Sequence, residues 1–595
     1  VALQKQQVST FTLFKRLWSH MSLRRRGQTV LLLVLMLVTA LAEVLSIGAV
    51  LPFLGVLTSP EVVFKQPMLA PFIAALGIVT PAQLLLPLTI AFALAAVLSG
   101  AMRIVLIWAQ YRLSSVIGTD LSLNVYRRTL FQPYAVHVAR NSSDLIAAIS
   151  SKINAVISQS LMPALLLVSS FFLMTMILGV LLLIDPLIAI TAFVGFGLVY
   201  VLVIMLTKKR LQRDSKLISQ QSNKVVKALQ EGLGGIRDVL IDGTQNTYCD
   251  IYRTADQSLR RAQANVNIVS GSPRFMIEAL GMVLIAGLAF VMAQRSEGLS
   301  GAIPVLGALA LGAQRLLPVL QQAYSSFSSI RGNQRNLEDV IDLLDQPMPD
   351  QPLGVVQPIS FTQGIQINQL SFQYAEQSPW VLKGVNLSIE KGSRVGFIGS
   401  TGSGKSTLID LVMSLLQPTQ GTLEIDGQAI TLANQRAWQA HLAHVPQSIF
   451  LADSSIAENI AFGVPRALID MQRVQRAAQQ AQIAQTIEGW EKGYETFVGE
   501  RGVRLSGGQR QRIGIARALY KQANVIVFDE ATSALDNETE RAVMQAIDDL
   551  GDELTVIIVA HRLSTLKHCT KIVELKQGQV LREGRYEDIV GDLVH

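Results

Sequence analysis

The sequence predicts an α-helical transmembrane domain of six helices fused to an α/β domain built on a parallel sheet, and three observations carry that prediction. Half of the 595 residues are hydrophobic and only 16% are charged, against ~25% charged in ordinary soluble domains. Long uncharged runs crowd the first 330 residues, while the remainder reads as alternating apolar strands and amphipathic helices. At residue 399 an apolar strand runs into a glycine-rich loop and then a helix, the setting of a phosphate loop.

Crossing ~30 Å of hydrocarbon takes about 20 apolar residues in a helix. Residues 29–57 form the first such run. Arg24, Arg25 and Arg26 before it and Ala40-Leu41-Ala42 inside it imitate a signal peptide, but the run is too long and more spans follow, so it reads as a retained anchor. No charge occurs from Gln66 to Met102. Residues 84–111 are the expected second helix, and 66–79 reads either as a short apolar helix on the membrane surface or as a loop packed on the protein. Runs 157–184 and 186–207, divided by Asp185-Pro186, form an outer hairpin of helices three and four. Weaker runs at 276–294 and 301–325 complete the six.

Basic residues set the orientation. Arg24 to Arg26, Arg127, Arg128 and Lys208 to Arg210 fall at ends that alternate to one side, which places both termini in the cytoplasm. The same rule accounts for the net charge of +7, so nucleic acid is not an expected partner. Polar stretches 112–156 and 208–273 are too long for turns and read as membrane helices continuing into the cytoplasm. The domain limits follow: 1–345 for the membrane domain with its extensions, 346–358 for a proline-bearing linker, and 359–595 for the α/β domain. Cys249 and Cys569, one in each half and far from any C-x-x-C spacing, argue against a disulfide framework or a zinc site.

Charges inside membrane segments need an environment other than acyl chains. Glu43, Arg103, Glu278 and Arg315 lie within the runs and Arg274 opens one. Two readings stay open: internal ion pairs with Glu43 or Glu278, or a cationic lining for an anionic cargo.

In the second half, Gly399-Ser400-Thr401-Gly402-Ser403-Gly404-Lys405-Ser406-Thr407 matches G-x-x-x-x-G-K-[ST] between a strand and a helix. Glycines allow a tight loop whose amides face phosphate at a helix N-terminus. Lys405 is placed to reach the β- and γ-phosphates of ATP, and Ser406 to ligate Mg²⁺. The strand at 525–528 ends in Asp529, expected in the Mg²⁺ shell, and Glu530, expected to polarise the attacking water.

Between these lies Leu505-Ser506-Gly507-Gly508-Gln509. With it the chain resembles the ABC transporter superfamily, whose signature is this pentapeptide, and the fold of a type I exporter is implied. The resemblance continues through Tyr374 as the adenine-stacking aromatic, Gln447 as the Q-loop residue that also reaches Mg²⁺, Ser533-Ala534-Leu535-Asp536 as the D-loop, and His561 as the switch histidine. It implies that the signature of one subunit closes over the phosphate loop of another, so that two copies share two ATP sites. A homodimer is favoured because Glu530 and the signature are both intact; a heterodimer remains the alternative. Thr496 to Gly502 looks like the exporter X-loop, and turns near 131–145 and 243–255 like coupling elements.

The membrane half is similar to bacterial flippases of lipid-linked oligosaccharides over AEVLSIGAVLPFL (42–54), SPRFMIEALG (272–281) and ALGAQRLLPVL (310–320). That resemblance implies a polyprenyl-pyrophosphate glycan as cargo and Arg103, Arg274 and Arg315 as its phosphate ligands. Export of drugs, lipid A-like lipids or peptides is the rival reading, and an ATP-gated channel or a soluble ABC ATPase the reading of another class.

Overall fold

We describe the protein from a computed structural model covering residues 9–58, 60–64, 66, 73–74, 77–184, 186–276, 278–279, 282–283, 286–287, 316–348, 357–530, 534–549, 551, 553–560 and 566–590. The chain divides into two compact units: residues 1–132 with 140–348, and residues 133–139 with 349–595.

The first unit is helical. Its principal elements are α1 (Thr10–Ser19), α2 (Leu23–Thr58), α3 (Leu85–Leu130), α4 (Met162–Ile184), α5 (Pro186–Gly234), α6 (Gln245–Gly271) and α7 (Gln334–Leu344). At ~1.5 Å per residue, α3 and α5 each run about 70 Å, more than twice the ~30 Å of hydrocarbon. Among the described residues, three helices are long and apolar enough to cross a membrane, over Leu23–Leu57, Pro81–Leu130 and Ser142–Val180. They contain the first two predicted spans and all but the last four residues of the third. The fourth predicted run opens α5, with Pro186 at its first position, where a missing N–H costs nothing. The runs at 276–294 and 301–325 and the apolar segment 66–79 lie largely outside the described residues.

One helix serves two solvents. In the first half of α3, Leu86, Ile90, Leu94, Leu98 and Ile104 are exposed, as a lipid-facing surface requires. In its second half Leu113, Ile117, Leu121 and Val125, spaced four apart, are buried. They pack against Leu13 and Leu17 of α1, Ile153 and Val156, and Leu337, Val340, Ile341 and Leu344 of α7. The same buried cluster takes in Leu32, Met36, Leu106, Leu161 and Leu165, so it continues from the helical extensions into the apolar runs. A shorter strip, Leu211, Ile218, Ala262, Val266 and Val269, joins α5 to α6.

The second unit holds two sheets. A four-stranded antiparallel sheet orders β2 (Leu382–Glu390), β1 (Gly364–Phe372), β4 (Gln420–Ile425) and β5 (Gln428–Ala429). The six-stranded sheet orders β10 (Gln579–Gly584), β9 (Lys571–Lys576), β3 (Arg394–Ile398), β8 (Thr555–Val559), β7 (Val525–Asp529) and β6 (Leu442–Val445). Neighbours from β9 to β6 are parallel; β10 returns antiparallel on β9. Such strands are buried on both faces, and β8 is buried at all of Thr555 to Val559. One face packs on α8 (Lys405–Val412) and Trp438, whose indole N–H donates to the Val412 carbonyl at 2.8 Å. The other packs on α9 (Gly507–Lys521) and α10 (Asn537–Asp548).

A buried ion pair ties the first unit's helices together. The Lys152 ammonium, 5% exposed, donates to Asp339 Oδ2 at 2.7 Å and to Ser219 Oγ at 3.2 Å, and the Ser219 hydroxyl donates to the same Asp339 oxygen at 2.6 Å. Lys152 sits in a π-helical turn (Ala148–Lys152), Ser219 on α5 and Asp339 on α7. Removing one partner of such a pair leaves an uncompensated charge and costs roughly 3 kcal/mol. Asp339→Ala is therefore expected to lower the thermal unfolding midpoint of the detergent-solubilised protein clearly, more than the loss of the solvated i,i+4 pair of Arg260 and Asp256 through Asp256→Ala; equal midpoints for the two variants would contradict this account.

Candidate functional site

Parallel register places the chemistry. Residues Arg394 to Phe397 of β3 pair with Val556 to Val559 of β8, and Asp529 of β7 lies opposite Val559. Strands β3, β8, β7 and β6 therefore end at one edge, where ligands bind in open α/β sheets. At that edge β3 delivers Gly399, β7 delivers Asp529 and Glu530, and β6 leads through Val445 to Gln447. His561 and Ser533 lie outside the described residues.

The loop from Gly399 to Gly404 needs its glycines for definite reasons. Gly399 and Gly404 have φ of 145° and 101°, and a Cβ on Gly399 would run into the Leu575 carbonyl. Around Gly402 nothing lies within 4 Å of where a Cβ would stand, which leaves open space in front of the loop. The Lys405 ammonium folds over it, donating to the Gly399 and Ser400 carbonyls at 2.8 and 3.1 Å. Ser403 Oγ is buried and has no hydrogen-bond partner among the described residues. An orphaned hydroxyl beside open space, an ammonium and a helix N-terminus fit a phosphate group. Ser406 is exposed on the first turn of α8, a hydroxyl of the kind that ligates Mg²⁺ beside a phosphate loop. Tyr374, 54% exposed, stands edge-on to Phe372 and its hydroxyl lies 3.3 Å from Thr407 Oγ1. Its free face can take a planar base.

Glu530 carries a backbone φ of 52°, in the left-handed region, which costs a side-chain-bearing residue on the order of 1 kcal/mol. Its amide donates to the Val559 carbonyl at 3.0 Å, and the Gln447 side-chain amide donates to its Oε2 at 2.6 Å. The structure thus joins Gln447 to Glu530, a carboxylate suited to accept a proton from water.

The pentapeptide occupies the start of α9. Ser506 caps the helix: its hydroxyl accepts from the Gln509 amide, and the Gln509 side chain accepts from the Ser506 amide at 2.9 Å. Leu505 is buried. Gly507 and Gly508 pass close to Ala534, and the Ala534 amide donates to the Gln511 side chain at 3.0 Å. Asp536 caps α10, and hydrogen bonds from Thr539 hold its carboxyl below the usual range. Among the described residues, no hydrogen bond links Leu505 to Gln509 with the phosphate loop.

Sequence reasoning missed Asp410. It interrupts the apolar run LIDLVMSLL one turn after Ser406, and that interruption was its only signal. Burial and then the charge of Asp529 push its carboxyl up to about 6. It also bears, with Tyr374, on the Tyr134 hydroxyl, which is raised chiefly by burial. Tyr134 opens a short helix, Tyr134–Val138, in the segment that clusters with the second unit.

Arg103 and Arg274 both meet carboxylates. Arg103 Nη1 lies 3.4 Å from Glu43 Oε1, and Glu43 is 5% exposed. Arg274 pairs with Glu278 at 2.9 Å one turn along its helix. Arg315 lies outside the described residues. The internal pairing that composition allows is thus present for two of the three arginines, and both keep about half of their side-chain surface open, 49% and 55%.

Comparison with known proteins agrees with this layout. The family described as ABC transporter matches residues 382–533, and the family described as ABC transporter transmembrane region matches 29–309. The chain is 31% identical over 392 residues to an ATP-dependent lipid A-core flippase of Cupriavidus metallidurans, covering 64% of each. It is 29% identical to that of Alkalilimnicola ehrlichii over 79% of this chain and 80% of the relative, and 32% identical to that of Chromohalobacter salexigens over 68% of each. The chain thus spans 64% of the first relative's length. A bacterial Atm1-family ABC exporter solved with ATP bound superposes with a TM-score of 0.78 over 96% of both chains, at 24% identity, which establishes likeness of fold.

The raised Asp410 fixes a pH dependence. In the folded protein this group binds its proton up to about pH 6, whereas the unfolded chain releases it near ~3.9, so stability falls as pH rises through that window. Asp410→Asn is expected to raise the unfolding midpoint at pH 7.5 by more than at pH 4.5 in Mg²⁺-free buffer; an equal gain at both pH values would show that the carboxyl titrates normally.

Proposed function

The chain belongs to the ABC transporter superfamily, with an exporter-type membrane domain preceding the nucleotide-binding domain, and from that premise we propose that it is an ATPase that moves a phosphorylated glycolipid from the cytoplasmic to the outer leaflet of a bacterial inner membrane. The carrying observation is the shared strand edge that assembles Lys405, Asp529, Glu530 and Gln447 around an open phosphate loop.

In this reading ATP stacks on Tyr374 and lays its phosphates on the loop from Gly399 to Thr407. Ser406, Gln447 and Asp529 would hold Mg²⁺, which when bound would supply positive charge beside the phosphates. Glu530, oriented by Gln447, takes the proton of the attacking water, and His561 completes the site. The family resemblance implies that two copies face each other, each lending Ser506, Gly507 and Gly508 to the other's nucleotide, and among the described residues the pentapeptide makes no hydrogen bond to the phosphate loop of its own chain. Closure on ATP and reopening after hydrolysis then drive the spans between two arrangements, through the segments that include Tyr134–Val138.

Two observations bear on the cargo. The relatives are named lipid A-core flippases, which favours a lipid A-type molecule. The stretches at 42–54, 272–281 and 310–320 and the arginines Arg103, Arg274 and Arg315 favour a polyprenyl-pyrophosphate glycan. Both cargoes couple hydrocarbon to phosphate and sugar, and guanidinium binds phosphate oxygens in bidentate fashion. Exchange of Glu43 for a cargo phosphate at Arg103 is the step this chemistry needs.

Leaflet-resolved flipping in proteoliposomes, run in parallel with lipid A and with a polyprenyl-pyrophosphate glycan, tests the reading. ATP-dependent movement of at least one is expected. Glu530→Gln should retain ATP binding and abolish movement, and Arg103→Ala with Arg315→Ala should abolish movement while ATP hydrolysis continues. Flipping of neither lipid by an ATP-hydrolysing preparation would refute the cargo class.

A further inference from the structure

A groove of about 530 Å³ opens between α2 and α3, within the ~300–1,000 Å³ of small-ligand sites. It follows α2 from Arg25 to Val38, about 20 Å at helical rise. Its floor is protein: Leu32 and Leu113 are buried and belong to the apolar cluster shared by the two helices. Its rim is open. Leu31, Val34 and Val38 on α2 and Trp108 on α3 are all exposed, Trp108 at 66%. A trough of this kind on a spanning helix pair has the shape and chemistry to seat hydrocarbon.

Two cations line the same groove, Arg25 and Arg112. Arg25 is held in place: its Nε donates to Asp120 Oδ2 at 2.7 Å and its Nη1 to Gln28 Oε1 at 2.9 Å, which leaves further N–H donors to spend. Arg112 is exposed, and among the described residues no hydrogen bond or ion pair engages it. Arg25 precedes the apolar run 29–57 and Arg112 directly follows the run 84–111, so both guanidinium groups stand where hydrocarbon gives way to headgroups. Tryptophan favours that same level, and there Trp108 stands one turn from Arg112. An unpaired guanidinium beside an apolar trough fits an anion that carries hydrocarbon. A second copy of this chain is the rival occupant, and its charges do not complement the groove. Within the six apolar runs the acidic residues are Glu43 and Glu278, and both already meet arginines.

We propose that the groove between α2 and α3 binds an anionic phospholipid of the adjoining leaflet as a resident lipid. Its phosphate oxygens take Arg112 and the free donors of Arg25, and an acyl chain lies along Leu31, Val34 and Val38. Basic residues at a membrane surface favour anionic over zwitterionic headgroups, and the trough adds selectivity for a lipid over a free phosphate. This lipid is a ligand and not the cargo, so the site stands independently of which glycolipid the protein moves.

Titration of the full-length protein in detergent with phosphatidylglycerol, phosphatidylcholine and glycerol phosphate, read by native mass spectrometry as the affinity of the first molecule bound, tests it. Wild type is expected to bind phosphatidylglycerol most tightly. Arg112→Ala should weaken that binding about fivefold or more and leave phosphatidylcholine unchanged, with Arg112→Lys retaining part of the preference. Val34→Trp, which fills the trough, should weaken both lipids, and Arg24→Ala, which removes an exposed cation outside the groove, should alter neither. Unchanged phosphatidylglycerol affinity in Arg112→Ala, with its unfolding midpoint intact, overturns the proposal, as does an equal loss in Arg24→Ala or glycerol phosphate binding as tightly as the lipid. Displacement of phosphatidylglycerol by equimolar lipid A in wild type but not in Arg112→Ala would make the groove a cargo site and overturn it too. Irradiation of Leu31→p-benzoylphenylalanine in native membranes should join the chain to phospholipid; a cross-link to a second copy alone would show that protein covers the groove and sink the idea.

Discussion

The pairing of β3 with β8, and of β8 with β7, is the constraint from which the nucleotide site follows. Parallel strands in register end together, so a loop after β3 and a carboxylate pair after β7 are brought to one edge although some 130 residues separate them in the chain. Shifting either pairing by one residue would turn every side chain to the opposite face. It would put Asp529 where Glu530 stands and break the contact of Gln447 with Glu530. The apolar layers on the two sheet faces hold that register, which is why Trp438, far from any chemistry, is among the most completely buried side chains.

The membrane unit obeys a different rule. Its helices have no water to drive them together in hydrocarbon, so their apolar surfaces stay outward, as on the first half of α3. Beyond the hydrocarbon the ordinary hydrophobic effect returns, and the same helix turns a Leu-Ile-Leu-Val strip inward. Polar ties such as Lys152 with Asp339 occur in this second region, where they fix which helices neighbour each other.

Much of this was legible in the residues. Hydrocarbon length alone located the first three spans, and G-x-x-x-x-G-K-[ST] located a tight glycine loop between a strand and a helix, because each rests on a local physical requirement. The continuity of α3 across 46 residues was legible only in part, since its polar end has helical periodicity but no stop signal before Phe131. Asp410 was invisible as a functional neighbour: its closeness to Asp529 depends on α8 lying over the sheet, a tertiary fact with no sequence pattern. The pairing of Arg103 with Glu43 was written in the sequence only as one of two alternatives, because residues 60 apart on different helices give no spacing to count. The left-handed backbone of Glu530 was equally hidden, as nothing in Phe-Asp-Glu-Ala announces it.

Unbroken helices of about 70 Å have a mechanical corollary. A rod of that length cannot absorb a displacement at one end by bending locally unless it has a weak point, and the described parts of α3 and α5 are single helices from end to end. A tilt of only about 5° therefore swings the far end by roughly 6 Å over that length, comparable to a helical turn. Small angular adjustments outside the bilayer thus become displacements of side-chain size within it, and amplification is set by helix length rather than by any single contact.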